Sequence, residues 1–372
     1  MGMSQVKNTM VTNLSASKLT GALPAVDGSA LTGISPFMTN ASDPAIDSNP
    51  TGGVGSVWAN TTSGEMFICT DATAGANVWT NVGDGSGDVQ PYSFGGTISG
   101  YVSGGYPNGY PSSNVIEKFS FTSDADATDV GDLAVGVDFI AGQSSTTHGY
   151  STGGYTGSGS PRNEIQKFSF SVDGNATDIA NLTVGRYALC GQSSETHGYS
   201  SGGTSNVIDK FTFASDVDAT DVGDCAGTKQ YPAGQSSETN GYISGGSGPI
   251  NTIEKFSFAS NGNASDIADI TVSRDNPTGQ SSSTHGYTSG GSPTSDVIDR
   301  FPFASDTNAT DVGNLTQARQ YPAGSSSTTH GYSAGGQPTV NIIDKFTFAA
   351  TANATDVGDL TVGRWVTAGQ QY

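Results

Sequence analysis

RYALCGQSSETHGYSSGGTSNVIDKFTFASDVDATDVGDCAGT, residues Arg186 to Thr228, is one copy of a unit that recurs through most of the 372-residue chain. Its Gly-Tyr dipeptide sets the register, because Tyr101, Tyr150, Tyr199, Tyr242, Tyr287 and Tyr332 stand 43 to 49 residues apart. A period of that length marks propeller blades or solenoid units. Four short strands are expected within the copy, near Ala188 to Gln192, Thr196 to Ser201, Val207 to Phe213 and Ala219 to Cys225. The third, with Ile208, Lys210, Phe211 and Phe213, fits a strand better than a helix. The Asp- and Gly-rich links between strands are too short for helices, so each unit reads as an antiparallel four-stranded meander. A sheet this small buries both faces only when neighbouring copies stack on it.

Phe-x-Phe pairs show what is buried. Phe119 and Phe121, Phe168 and Phe170, Phe211 and Phe213, Phe256 and Phe258, Phe301 and Phe303, and Phe346 and Phe348 recur in all six copies. Residues two apart on a strand share a face, so each pair can fill the space between sheets. Diglycines follow the second strand at Gly104-Gly105, Gly153-Gly154, Gly202-Gly203, Gly245-Gly246, Gly290-Gly291 and Gly335-Gly336. A basic residue precedes the next first strand at Arg186, Lys229, Arg274, Arg319 and Arg364, with Val137 as the departure. In these features residues 92 to 372 resemble the kelch-type propeller family, although the usual blade Trp is replaced by a Thr-Asp-Val-Gly run or its variants.

The ends of the array complement each other. Arg364 to Tyr372 repeats only a first strand, whereas the first unit begins convincingly at its second. Pairing the two would complete a sixth blade from both termini and remove exposed edges. The expected fold is therefore all-β: a six-bladed kelch-like β-propeller closed by the C-terminal strand, over residues 92–372. Ahead of it are expected an extended anchoring or oligomerisation segment over 1–47, a small β module over 48–83 and a linker over 84–91. In that module Val57-Trp58, Met66 to Cys69 and Val78-Trp79 read as strands, with Thr62-Ser63-Gly64 as a turn.

Composition restricts the function. With 34 acidic and 14 basic residues the net charge is −20, which repels phosphate backbones and anionic lipid headgroups. No stretch is apolar for long enough to span a bilayer, and no secretory leader is evident, so neither nucleic-acid binding nor membrane insertion is expected. Cys69, Cys190 and Cys225 lack metal-ligand spacing, and the latter two occupy positions held elsewhere by small or apolar core residues.

The N-terminal stretch LTGALPAVDGSALTGI, residues 19 to 34, and the segment GSVWANTTSGEMFICTDATAGANVWTNVG, residues 55 to 83, resemble parts of bacteriophage tail-fibre and other appendage proteins. That resemblance implies a virion structural protein assembled in the host cytoplasm. It would be joined to other virion proteins through its N-terminal region, homotrimeric, and would carry a distal domain that contacts the host or decorates the particle.

Catalytic and metal chemistry find little purchase. His148, His197, His285 and His330 each precede a Gly-Tyr, but Ser99 and Asn240 break the set, and strand-end turn hydrogen bonds account for them. Loops such as Asp124 to Asp129 space their carboxylates as calcium loops do but lack the closing bidentate Glu. Asp129, Asp178, Asp221, Asp266, Asp311 and Asp356 occur once per unit, as do Lys118, Lys167, Lys210, Lys255, Arg300 and Lys345. Such registration suggests a repeated ion pair and not a catalytic group, which is needed once. No enzyme activity, metal or cofactor is expected. The loops joining second to third strands and fourth to next-first strands emerge on one face. They carry Tyr106, Tyr110, Tyr155 and Arg162, and Phe139, Tyr187, Tyr231, Tyr321 and Trp365 respectively. Exposed aromatics stack on sugar rings, so this rim is the candidate surface for a host glycan or receptor. The alternative is a purely structural decoration or tail-wall protein, its aromatics capping the sheet edges.

Overall fold

The computed structural model describes residues 37–82, 94–107, 111–157 and 159–372. It divides the chain into two compact units, Met1–Pro91 and Tyr92–Tyr372, and every regular element among the described residues is a strand. The first 36 residues, with their Leu-Thr-Gly repeat, and the expected linker 84–91 lie outside the described residues.

The smaller unit is one sheet of four strands, Phe37–Asn40, Val57–Asn60, Met66–Asp71 and Val78–Asn81, in that order. Alternation puts Trp58, Phe67, Cys69 and Trp79 on one face, where the two indoles meet edge-on at 5.8 Å. The Phe37–Asn40 strand, inside the stretch expected to be an extended anchor, instead pairs parallel with Val57–Asn60. A parallel partner needs a crossover, and residues 41–56 supply it. The crossover is held by the Trp58 indole N–H donating to the Ser42 carbonyl at 2.9 Å and by Asn77 Nδ2 donating to the Ile46 carbonyl at 2.7 Å.

The larger unit is a β-propeller-like series of four-stranded antiparallel sheets. Five are continuous meanders, as in Leu189–Ser193, His197–Gly202, Val207–Thr212 and Thr220–Asp224. In another, Ala368–Gln371 lies antiparallel beside Ser99–Ser103, in the register Ala368↔Ser103 to Gln371↔Gly100, and Val115–Ser120 and Thr128–Asp132 follow. The last carbonyl, on Tyr372, accepts the N–H groups of Thr97, Ile98 and Ser99 at 3.0, 2.6 and 2.9 Å.

The Gly-Tyr dipeptide has two physical jobs. A β-carbon on Gly198 would stand 2.3 Å from Cζ of Phe211, so only glycine leaves room for the first ring of its own sheet's Phe-x-Phe pair. The tyrosine reaches into the next sheet and stacks on that sheet's second Phe. Tyr101 meets Phe170 at 4.9 Å, Tyr199 meets Phe258 at 4.7 Å, and Tyr332 meets Phe121 at 4.7 Å. Each interface thus buries the tyrosine and the first phenylalanine, which contribute about 1.5–3 kcal/mol apiece, and covers the second phenylalanine at least in part.

The repeated ion pairs have different partners from those the registration suggests. The basic residue ahead of the first strand reaches back to an acid in the third strand of the same sheet. The pairs are Arg186–Asp209 at 2.7 Å, Lys229–Glu254 at 2.9 Å, Arg274–Asp299 at 2.6 Å, Arg319–Asp344 at 2.9 Å and Arg364–Glu117 at 3.0 Å, all buried. In the unit where Val137 replaces the base, Gln166 replaces the acid, so charge is lost from both sides together. The half-buried Lys118, Lys167, Lys255 and Lys345 pair instead with Asp173, Asp216, Asp306 and Asp124 of neighbouring units. Asp129, Asp221, Asp311 and Asp356 pair with no base among the described residues; each accepts the N–H of the glycine two residues on.

Candidate binding face

The short arms that lead into the first strands build one face. In each arm a non-glycine residue adopts a left-handed backbone: Phe139, Ala188, Tyr231, Asn276, Tyr321 and Val366, with φ between 54° and 61°. That conformation costs an L residue about 1–2 kcal/mol, and a hydrogen bond between arms offsets it. Ala188 N–H donates to Phe139 O, Tyr231 to Ala188, Asn276 to Tyr231, Tyr321 to Asn276, Val366 to Tyr321 and Phe139 to Val366, at 2.7 to 3.1 Å. Beneath these arms the first strands are so close that a β-carbon on Gly191 would stand 2.0 Å from Gly142 O. The same holds for Gly142 against Gly369 O at 2.2 Å and Gly369 against Gly324 O at 2.0 Å.

Large and small side chains alternate at the left-handed positions. Phe139, Tyr231 and Tyr321 contact one another with centroids 5.4 to 6.0 Å apart, between Ala188, Asn276 and Val366. All six line a cavity of about 110 Å³ whose walls come from the first strands of six units. The aromatic contact continues outward: Trp365 lies 5.3 Å from Tyr321 and 5.4 Å from Tyr106, Tyr187 lies 6.0 Å from Phe139, and Tyr155 lies 5.5 Å from Tyr187. Seven of the nine rim residues anticipated from the sequence therefore form one connected aromatic patch, each ring half-buried. Arg162 takes no part in it; its guanidinium pairs with Glu164. Tyr110 lies outside the described residues.

Polar side chains stand beside the arms that line the cavity. Asn276 Nδ2 donates to Asp275 Oδ1 at 2.8 Å, and Gln320 Nε2 donates to Gln337 Oε1 at 3.0 Å. Asn276 Oδ1 and Thr367 Oγ1, both on residues that line the cavity, have no hydrogen-bond partner. Asp138, 1% exposed, bonds through Oδ2 to the Ser112 hydroxyl at 2.9 Å, while its Oδ1 has none. Burial, partly opposed by that hydroxyl, pushes the Asp138 carboxyl up to about 6, and burial also raises Asp275. The Tyr231 hydroxyl is raised by burial first and then by Tyr187, Asp275 and Asp138. Sequence reasoning passed over Asp138, Asp275 and Asn276. The available signal was that Asp138 follows Val137, the one arm without a base.

The other candidates have structural explanations. Each imidazole Nδ1 lies 2.8 Å from the hydroxyl of the preceding threonine, as at Thr147–His148 and Thr329–His330, and burial lowers all four histidines below their ordinary value. In the Asp-rich loops Asn175, Asp218, Asn263, Asn308, Asn353 and Asp126 each accept a backbone N–H from the adjacent sheet, at 2.8 to 3.1 Å. The side chains that resembled calcium ligands are thus used between sheets, and no group of three metal-binding side chains occurs among the described residues. Compared with models of known protein families and with curated protein sequences, the chain matches none.

Proposed function

We propose that this chain is a non-enzymatic virion appendage protein, anchored by its N-terminal region, whose Tyr92–Tyr372 unit is a closed six-bladed kelch-like propeller presenting the aromatic patch to a host-surface glycan. Closure is supported by the order of the arm hydrogen bonds, which leaves each unit for the one before and takes Phe139 to Val366. The pairing of Ala368–Gln371 with Ser99–Ser103 supports it as well. The observation that carries the binding reading is the connected patch of seven half-buried rings on one face. Rings held at fixed angles by their neighbours offer flat apolar surface at little entropic cost. The structural alternative draws on the same contacts, since Phe139, Tyr231 and Tyr321 already pack on one another.

The peripheral rings decide between the two. On an array of bacterial surface glycans the protein is expected to bind at least one class. The Tyr155→Ser/Tyr187→Ser variant should bind at least about fivefold more weakly with its melting temperature within a few degrees of the parent. Two lost stacking contacts at about 0.5–1.5 kcal/mol each give that factor. Unchanged binding in the variant, or no binding to any glycan, would favour the purely architectural reading.

A further inference from the structure

We infer that the cavity at the centre of the aromatic patch is the seat of a protonated amine, so that the glycan recognised is an amino sugar with a free ammonium group. The inference rests on the glycan-binding reading above and names its ligand class. Three independent features converge on a cation.

The cavity is lined by glycine backbone, by apolar side chains such as Ile140 and Leu189, and by three rings that contact one another, Phe139, Tyr231 and Tyr321. Ring faces carry negative potential and attract ammonium groups. Of the polar groups on cavity-lining residues, the Asn276 carboxamide oxygen can only accept a hydrogen bond, whereas the Thr367 hydroxyl can accept or donate. Asn276 is 5% exposed, its Nδ2 is engaged by Asp275, and its Oδ1 is left without a partner; Thr367 Oγ1 is likewise unpartnered. A buried carbonyl oxygen without a donor is destabilising, and a ligand N–H would satisfy it. The charge around the site is unmatched as well. Asp275 accepts from the amide of the cavity-lining Asn276 at 2.8 Å, Asp138 directly precedes the cavity-lining Phe139, and neither is paired with a base among the described residues. The arm residue that elsewhere supplies the cation is Val137 beside Asp138, and the nearby Arg162 is held by Glu164. A carboxylated, sulfated or phosphorylated sugar would meet only repulsion here. A neutral sugar would gain the stacking but leave the carboxylates uncompensated.

A tetramer of glucosamine and its fully N-acetylated counterpart share a backbone and differ in charge at each nitrogen. With the full-length protein, titrated by tryptophan fluorescence and by calorimetry at low salt and pH 7, above the value of about 6 to which burial raises Asp138, the free-amine tetramer is expected to bind at least tenfold more tightly. In Asp138→Asn/Asp275→Asn that preference should fall below threefold, while the acetylated tetramer binds both proteins alike. The asparagines keep size and hydrogen bonds, and the protein remains strongly acidic, so loss of the preference cannot come from loss of its overall charge. Equal binding of the two tetramers by the parent protein, or a preference that survives in the variant, would overturn the inference. If neither tetramer binds but another glycan on the array does, the amine assignment fails and the patch stands. If no glycan binds at all, the reading beneath it fails too.

Discussion

Gly191→Ala is expected to prevent the Tyr92–Tyr372 unit from folding cooperatively, or to destabilise it by more than about 3 kcal/mol. A β-carbon there would stand 2.0 Å from Gly142 O and 2.9 Å from both Gly142 C and Gln143 Nε2. The obstacle is backbone, and Gly142 is in turn pressed against Gly369 O, so no strand can retreat without moving the next. Overpacking a site whose neighbours can adjust costs about 1–3 kcal/mol, and this site lacks that freedom. Gly227→Ala is the control, because nothing lies within 4 Å of its β-carbon and its backbone is not left-handed. It should be neutral or stabilising by up to about 1 kcal/mol through the unfolded chain. Urea denaturation followed by circular dichroism measures both, and a Gly191→Ala protein within about 1 kcal/mol of the parent would refute the close approach of the first strands.

The second large effect is expected at a buried ion pair. Arg186 donates through Nη1 to Asp209 at 2.7 Å and through Nη2 to the Ser200 carbonyl at 2.7 Å, and both charged side chains are fully buried. Arg186→Val leaves Asp209 with only the two Thr183 donors, its N–H at 3.1 Å and its hydroxyl at 2.7 Å. An uncompensated buried charge costs about 3–5 kcal/mol. The chain itself contains the remedy, because Val137 and Gln166 occupy the corresponding positions in another unit and are also buried. Arg186→Val/Asp209→Gln should therefore recover at least half of the loss. A double variant as unstable as the single one would show that charge balance is not what the Val137–Gln166 unit preserves.

Much of this architecture is legible from the sequence, because side-chain period and repeat spacing are local properties. The Gly-Tyr register, the Phe-x-Phe pairs and the four strands of each unit follow from them, as does the placing of the arm aromatics and Tyr106 and Tyr155 on one face. The ion pairs were harder to read for a definite reason. The acid that meets the arm base varies among Glu117, Asp209, Glu254, Asp299 and Asp344, and its variation hides the repeat. The variation itself has a cause at Lys229, where the longer Glu254 reaches the ammonium. Asp221 and its equivalents are more regular and drew attention, yet they only shape turns. The Phe37–Asn40 strand is too short and mixed in character to announce itself, and its partner is set by a crossover that no local pattern encodes. Nor does composition reveal a left-handed Phe139 or Tyr321, since that conformation follows from hydrogen bonds between units far apart in sequence.

The account depends on the first and last units being neighbours. Amide hydrogen exchange tests this at single residues, because the N–H groups of Ala188, Tyr231, Asn276, Tyr321 and Val366 each donate to the arm before, whereas that of Phe139 has a partner only if the array closes on Val366. Closure predicts that Phe139 exchanges as slowly as the other five, on the timescale of global unfolding. Rapid exchange at Phe139 beside slow exchange at Tyr231 and Tyr321 would mean an open array.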